Sequence, residues 1–287
     1  MVGADPPRRA QDVGGSVPPH SELTVRVVAA VALAPLPILA AMLGGWPFVM
    51  LCALAAIGIW WEWATLAAGA AARPLIAVGA AALAAAAMLL ALDWTGAALA
   101  VMALGAALVA AQARRDHAWV GAGVVYAGIM LAAPVVLRRD ADYGLLAILF
   151  LFAVVWTTDI AAYFAGRAIG GPNLAPRVSP KKTWSGALGG AVGAVIAAIV
   201  VAVIAGTGRW AMLGLVGFLL SVASQAGDLF ESGFKRRYGA KDASRLIPGH
   251  GGLMDRLDGF IAAVLAATIL GLLRGGVDAP ARGLLVW

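Results

Sequence analysis

Apolar runs make up nearly the whole chain, and short segments between them carry its charged, proline and glycine residues. A run of about 20 apolar residues is the length with which an α-helix crosses a hydrocarbon core of about 30 Å. These boundaries predict about nine helices, near residues 24–43, 46–68, 74–92, 94–112, 118–137, 143–165, 185–207, 210–230 and 257–275. The pattern therefore predicts an all-α, polytopic membrane protein.

Composition supports this prediction, since 62% of the residues are hydrophobic, 13% are charged and the mean hydropathy is +0.90. Soluble domains carry about 25% charged residues. Cys52 is the single cysteine and lies in an apolar run, which excludes a disulfide framework and a cysteine-based zinc site. The net charge is +6, but most basic residues lie in short loops between apolar runs. Membrane lipids and phosphorylated substrates are therefore the expected partners, and nucleic acid is not.

Loop charges predict the orientation, because cytoplasmic loops are rich in Lys and Arg. Alternate loops carry most of the basic residues, namely Arg73, Arg114, Arg115, Arg167, Arg177, Lys181, Lys182 and the six of the eighth loop. We therefore expect residues 1–22 to form a disordered cytoplasmic tail, with the C-terminus outside the cell inner membrane. Residues 23–142 would form N-terminal transmembrane helices, 143–276 a catalytic transmembrane region facing the cytoplasm, and 277–287 a short C-terminal tail.

Polar residues recur along the eighth predicted helix at steps of three and four, which places them on one face of a helix. They are Ser221, Ser224, Gln225, Asp228, Glu231 and Ser232. An ionised Asp within a bilayer costs about 2.5–3.5 kcal/mol on insertion scales, so Asp228 is a candidate functional residue. The alternative is a polar stripe that forms hydrogen bonds to neighbouring helices.

The segment from Ser232 to Asp258 carries six Lys or Arg residues and one His in 27 positions. A glycine-rich turn, Pro248–Gly252, would let backbone N–H groups approach a phosphate closely. Asp255 and Asp258 follow on one face of the ninth helix, where Asp258 would also fit a helix cap. Asp255 and Asp228 lie at the ends of helices joined by one loop and could converge on Mg²⁺.

Two further patterns hold candidate residues. On the sixth helix Asp159, Tyr163 and Arg167 lie four residues apart, and the next loop contains Ser179, Lys181, Lys182 and Thr183. The lysine pair suits a polyanion or serves as a topology anchor. Glu62, flanked by tryptophans, is expected at an interface or paired with another helix. GxxxG steps at Gly186–Gly190 and Gly189–Gly193 permit close packing, either internal or in a homodimer.

A family resemblance rests on the spacing Ser232-x-Phe234-Lys235-Arg236, Lys241-Asp242-x-Ser244, Ile247-Pro248-x-His250-Gly251-Gly252-Leu253-x-Asp255-Arg256-Leu257-Asp258. This block resembles the signature of phosphatidate cytidylyltransferases, also called CDP-diacylglycerol synthases. Two upstream blocks, residues 159–167 and 179–184, are similar to further family elements, so the likeness covers roughly residues 145 to 275. The first half is similar only in its hydropathy. Ser185 is a departure, because family members often carry Glu or Gln there.

The resemblance implies an enzyme of phospholipid biosynthesis that condenses CTP with phosphatidic acid, releases pyrophosphate and requires Mg²⁺. The family's metal-associated aspartates correspond by motif to Asp228 and Asp255; the number of metal ions is left open. Our hypothesis is that Lys235, Arg236, Lys241 and Arg256 balance the triphosphate and that His250 donates a hydrogen bond rather than acting as a base. Substrate-binding candidates are Asp159, Tyr163, Ser179, Lys181, Lys182, Thr183, Ser224, Gln225, Ser232, Gly251, Gly252 and Asp258.

Two other functions compete with this interpretation. Another CTP-dependent membrane lipid enzyme, such as a polyprenol or phytol kinase or an ether-lipid cytidylyltransferase, would share part of the chemistry. A transporter could use Asp159 and Asp228 along an ion pathway, although inverted repeats would then relate the two halves. The complete 27-residue block argues against a kinase, and the crowding of polar residues into the second half argues against a transporter.

Overall fold

The computed structural model describes residues 35–244, 246 and 251–287. Its helices are α1 (Pro35–Leu43), α2 (Gly45–Ala68), α3 (Ala72–Ala91), α4 (Thr95–Gln112), α5 (His117–Arg138), α6 (Gly144–Ile169), α7 (Trp184–Ile204), α8 (Trp210–Arg237), α9 (Met254–Gly275) and α10 (Pro280–Leu285). A short antiparallel hairpin, β1 (Asn173–Ala175) and β2 (Ser179–Thr183), lies between α6 and α7. The predicted tail, the start of the first predicted helix, and Arg245 and Ile247–His250 lie outside the described residues.

Eight of the described helices, α2 to α9, are long and apolar enough to cross a membrane. This confirms the all-α, polytopic prediction, and most predicted boundaries agree with the structure to within a few residues. The largest difference is at the end of α8, which was predicted near residue 230 and continues to Arg237. Basic residues in the last turn are favourable at the negative end of the helix dipole. Ser232 to Arg237 are therefore helical, and α9 begins at Met254, before the predicted residue 257.

Helices α6, α7 and α8 pack closely through small residues. A Cβ atom added at Gly189 would lie 2.3 Å from the Cβ of Ala165, and one at Gly193 would lie 2.6 Å from that of Ala161. On the other side of α7, a Cβ atom added at Gly217 of α8 would lie 2.5 Å from the Cβ of Ala198. The glycine steps of α7 are thus used for packing within the chain, which decides the question that the sequence left open.

Aromatic rings join the N-terminal helices to the end of α8. Trp63 of α2 stacks on Phe234 of α8 with ring centroids 3.7 Å apart. Its indole N–H donates to the carbonyl oxygen of Trp119 on α5 at 2.8 Å, and Tyr126 and Phe230 lie against the same ring. Large rigid rings of this kind bury much apolar area, so the last turns of α8 rest on the N-terminal half of the chain.

Three connections meet on one side of the helix bundle, which we call the signature face: residues 112–117, 169–184 and the described residues of 237–254. Arg237 donates to Asp116 at 3.1 Å, and the Tyr238 hydroxyl donates to the other oxygen of that carboxylate at 3.2 Å. Arg236 donates to the carbonyl oxygen of Val178 at 3.4 Å. Three of the basic loops that the charge pattern grouped together are therefore neighbours among the described residues, and their side of the membrane stays a prediction.

Candidate active site

Lys235, in the last turn of α8, is held between two carboxylates. Its Nζ atom lies 2.5 Å from Oδ1 of Asp255, in the first turn of α9, and 2.7 Å from Oε2 of Glu231, one turn earlier on α8. The three side chains are at most 11% exposed. A buried cation with two anionic partners ties the end of α8 to the start of α9 and fixes the orientation of both carboxylates.

Asp255 also holds both ends of the loop between these helices. Its Oδ2 atom accepts hydrogen bonds from the backbone N–H groups of Ala243 at 3.0 Å and Gly252 at 2.8 Å. Sequence reasoning placed this carboxylate at a metal, and the structure shows that protein donors already engage both of its oxygens. Asp255 thus organises the connection between α8 and α9, residues 238–253, which we call the signature loop, in addition to any role at a metal.

Glu62 of α2 is fully buried and is a second carboxylate that binds the same loop. Its Oε1 atom accepts from Ser244 Oγ at 2.6 Å and from the N–H of Leu253 at 2.8 Å, and Oε2 accepts from the N–H of Met254 at 2.6 Å. The first N–H groups of a helix have no partner within the helix. Glu62 therefore caps α9 from another helix. Sequence reasoning gave it only a secondary role, although a lone acid in a membrane helix was the available signal.

Gly251 and Gly252, at the end of the loop, fit tightly against these carboxylates. A Cβ atom at Gly252 would lie 2.7 Å from Oε1 of Glu62 and 3.0 Å from the Cβ of Ala243. Gly251 has a φ of +84°, and its Cβ would lie 3.0 Å from Oδ2 of Asp255. The sequence suggested a close phosphate contact for both glycines. The structure supplies a packing reason for them, and the phosphate contact stays a prediction.

A second charged group forms where α6, α8, α9 and β2 approach one another. Lys182 of β2 makes an ion pair with Asp228 of α8. Asp258 of α9 lies close enough for its charge to interact with those of Asp228, Lys182 and Asp159. The charge of Arg256 interacts with that of Asp159. The predicted metal-binding Asp228 and the predicted polyanion-binding Lys182 are thus in direct contact.

The donor chemistry of this region fits Mg²⁺. Within the described residues, no three His, Cys, Asp or Glu side chains are grouped as a complete protein metal site. Mg²⁺ is usually held by one or two carboxylates, with substrate phosphates as further ligands. Asp228 and Asp258 supply carboxylate oxygens, and the buried Oε1 atom of Glu231 has no hydrogen-bond partner among the described residues. Oxygens of this kind are the ligands that Mg²⁺ prefers, and Mg²⁺ binding at these residues stays a prediction.

The polar stripe of α8 divides into two parts. Thr158 donates to Ser221 Oγ at 3.0 Å, and Gln225 donates to Ser221 Oγ and to the carbonyl oxygen of Ala187, both at 3.2 Å. Ser224 is buried against Gly259, whose Cβ would lie 2.5 Å from its Oγ atom. Ser221, Ser224 and Gln225 therefore contact neighbouring helices, and the predicted substrate contacts of Ser224 and Gln225 stay a prediction. Further along the stripe, Asp228 and Glu231 lie next to the charged side chains of Lys182 and Lys235.

The start of α7 is capped by the predicted lysine-rich segment. Thr183 Oγ1 accepts from the N–H of Gly186 at 3.1 Å and lies 2.9 Å from Ser185 Oγ, which donates to the carbonyl oxygen of Gly170. Ser185, the position where the family often has Glu or Gln, therefore stabilises this helix start. Lys181 is exposed, and Ser179 is partly buried at the first position of β2.

The remaining candidates lie at the edges of the site. Tyr163 is 61% exposed, and Asp159 is exposed on the same face of α6. Lys241 and Arg256 are exposed on the signature face, and Ser232 is partly buried. Arg236 donates to the carbonyl oxygen of Ala240 at 3.1 Å. His250 lies outside the described residues.

Comparisons with known proteins extend the likeness to nearly the whole chain. The model of the cytidylyltransferase family matches residues 24–273. The chain is 42% identical over 264 residues to a phosphatidate cytidylyltransferase of Brucella suis, covering 91% of this chain and 97% of that protein. It is 42% identical over 131 residues to the phosphatidate cytidylyltransferase of Haemophilus influenzae, covering 44% and 46% of the two chains. The expectation that only residues 145 to 275 resemble the family was therefore wrong.

Proposed function

The chain belongs to the cytidylyltransferase family, and from this premise we propose that it transfers the cytidylyl group of CTP to phosphatidic acid, giving CDP-diacylglycerol and pyrophosphate. The observation that carries the proposal is the meeting of Asp228 with Lys182 on the face that also holds the Lys235–Asp255 pair. The similar proteins named phosphatidate cytidylyltransferase favour this function over a lipid kinase or a transporter.

The reaction joins two anions. A phosphate oxygen of phosphatidic acid attacks the α-phosphorus of CTP, and the bond from that phosphorus to the oxygen bridging the β-phosphate breaks. The attacking oxygen is already anionic at neutral pH, so no general base is required. Neutralisation and in-line positioning are therefore the main tasks of the protein.

Cationic side chains on the signature face suit these tasks. Lys181, Lys241, Arg236 and Arg256 are exposed there and would contact the triphosphate and the departing pyrophosphate. Lys182 would exchange Asp228 for a substrate phosphate. Lys235 is buried between two carboxylates, so its role would be to hold α8 and α9 in register rather than to contact CTP.

Asp228 and Asp255 are the residues proposed to hold Mg²⁺. To bind the ion, Asp228 would give up its ion pair with Lys182, and Asp255 would replace one of its hydrogen-bond donors by the ion. When bound, the ion would supply charge neutralisation at the phosphate oxygens. Asp258 and Glu231 are further oxygen donors if a second ion is used.

The membrane side follows from the loop charges. We place the protein in the cell inner membrane with the signature face and the N-terminus in the cytoplasm, where CTP is available. The substitution Lys241→Cys, made in a Cys52→Ala variant so that it is the single cysteine, tests this placement. A membrane-impermeant maleimide should label this cysteine in inverted vesicles and not in right-side-out vesicles; the reverse result would contradict the proposal.

A homodimer remains a prediction, tested by the mass of the detergent-solubilised protein.

Purified protein incubated with labelled CTP and phosphatidic acid, with and without Mg²⁺, tests the function itself. Cytidine label should move into the lipid phase only when Mg²⁺ is present. Transfer of γ-phosphate label to the lipid would indicate a kinase instead. Solute uptake by sealed vesicles without CTP consumption would indicate a transporter.

A further inference from the structure

The signature loop is held at both ends by carboxylates that lie on different parts of the chain. Asp255 binds the N–H groups of Ala243 and Gly252, while Glu62 binds the Ser244 hydroxyl and the N–H groups that follow Gly252. The two sets of contacts alternate along the loop. Each carboxylate therefore joins the start of the loop to its end, and losing either one would remove contacts at both ends.

Glu62 is itself placed on a rigid support. Its neighbours Trp60 and Trp63 are fully buried. The Trp60 indole donates to the carbonyl oxygen of Ile76 on α3 at 3.1 Å, and that of Trp63 donates to Trp119 on α5 at 2.8 Å. With two anchored indoles beside it, the carboxylate has little freedom to follow a moving loop.

The three donors on Glu62 require a carboxylate. Two of them meet Oε1 and one meets Oε2, so both oxygens act as acceptors. In a glutamine, one oxygen is replaced by an NH₂ group, which would face a donor instead of accepting from it. A buried donor left without an acceptor is costly, so Gln at this position would push the loop away. The positive end of the α9 dipole also favours a full negative charge there.

We propose that Glu62 is a positioning residue for cytidylyl transfer, acting through the signature loop on the groups that bind the triphosphate. This inference rests on the proposed function. The loop and the turn that follows it carry Lys241 and Arg256, which are exposed on the signature face. Phosphatidic acid is a lipid and would enter from the bilayer rather than past this loop, so we expect Glu62 to affect CTP binding more than lipid binding.

Steady-state kinetics of Glu62→Gln in the full-length protein test the proposal. We expect KM for CTP to rise by about tenfold while KM for phosphatidic acid changes by less than about twofold. Glu62→Asp keeps the charge and should recover part of the loss. Asp116→Asn is the matched control, because it removes a carboxylate charge on the same face that binds Arg237 and Tyr238 at the end of α8 and makes none of the contacts of Ala243, Ser244 or Gly252.

A general structural role predicts a different result. Loss of folded protein would lower kcat and leave both KM values unchanged, and Asp would rescue no better than Gln. That outcome, or a Gln variant with wild-type kinetics, overturns the proposal.

Tryptic cleavage after Lys241 or Arg245 supplies a readout that needs no activity. Glu62→Gln and Ser244→Ala should each speed cleavage there, and the double variant should add less than the sum of the single effects because they share one hydrogen bond. Equal cleavage rates in wild type and Glu62→Gln would overturn the inference that Glu62 holds the signature loop in place. If the wild type transfers no cytidylyl group, the proposed function fails, and the cleavage rates still decide whether Glu62 holds the loop.

Discussion

The N-terminal helices α2 to α5 and the C-terminal helices α6 to α9 contribute to the site in different ways. The C-terminal half carries the paired charges, such as Asp228 with Lys182 and Asp255 with Lys235. The N-terminal half is mostly apolar and supplies Glu62, a buried carboxylate that holds the signature loop. Residues that would meet substrate are thus concentrated in one half, and the other half determines where they lie.

Helix α8 packs differently against the two halves. Glycine and alanine let α7 and α8 approach closely, and Lys182 of β2 lies next to α8. Aromatic rings around Trp63 pack between α2, α5 and α8. If the C-terminal half contacts substrate and the N-terminal half positions the signature loop, substitutions in the C-terminal half should reduce turnover most. Substitutions in the N-terminal half should act through the position of the loop or through stability.

The largest effect is expected for Asp228→Asn. The change removes a proposed Mg²⁺ ligand and leaves Lys182 without its partner, so cytidylyl transfer should fall by about 10³-fold or more. The measurement is cytidine label transferred to phosphatidic acid by protein of equal folded content. Activity above about a tenth of wild type, at any Mg²⁺ concentration, would remove Asp228 from the centre of the site.

The second largest effect is expected for Lys235→Met. Removing one partner of a buried ion pair leaves uncompensated charge, which costs about 3–5 kcal/mol. Here Glu231 and Asp255 would face each other without a cation, so we expect lower thermal stability and about a hundredfold loss of turnover. Lys235→Arg keeps the charge and is the control. Undiminished stability in Lys235→Met would show that the pair does not join α8 to α9.

Gly252→Ala tests the contact between the halves directly. The added Cβ would lie 2.7 Å from Oε1 of Glu62 in the N-terminal half, so the loop must shift and activity should fall by about tenfold. Gly233→Ala is the matched control, because its Cβ would meet only Val178 at 3.9 Å and the helix is regular there. Equal activity of the two variants would mean that Glu62 and the loop are not tightly packed.

Trp63→Ala should affect stability more than chemistry. Large core truncations of aromatic residues cost about 3–5 kcal/mol, and Trp63 contacts rings on both α5 and α8. We expect a lower Tm in detergent and a loss of turnover of only about threefold in the folded fraction. A kcat loss as large as that of Asp228→Asn with an unchanged Tm would contradict the supporting role assigned to the N-terminal half.

Asp116→Asn and Tyr238→Phe should have the smallest effects. Their contacts with Arg237 and each other are exposed and link two loops outside the charged groups. Burial raises the pKa of Tyr238, so its hydroxyl stays protonated at neutral pH and continues to donate to Asp116. We expect less than a twofold change in transfer rate. A larger loss in either variant would extend the site to the connection between α4 and α5.

Much of the architecture could be predicted without coordinates. Helices α2 to α9 were predicted, most of them to within a few residues, because membrane insertion selects for apolar length, a property that is local in the chain. The short helix α10 lies in the segment that was predicted as a C-terminal tail. The end of α8 was placed too early, because Lys235 to Arg237 were interpreted as loop residues although basic side chains stabilise a helix C-terminus in water. The hairpin before α7 was not predicted, since its strands are too short to show alternation.

The amino-acid pattern alone determined the membrane-spanning helices and the resemblance to the cytidylyltransferase family. Tertiary structure decided which partner each charged side chain takes. Lys182 pairs with Asp228, and Glu62 caps α9 across 192 positions of the chain. The physical reason is that helix formation and insertion depend on neighbouring residues, whereas a buried carboxylate is stable only where donors from distant segments converge on it.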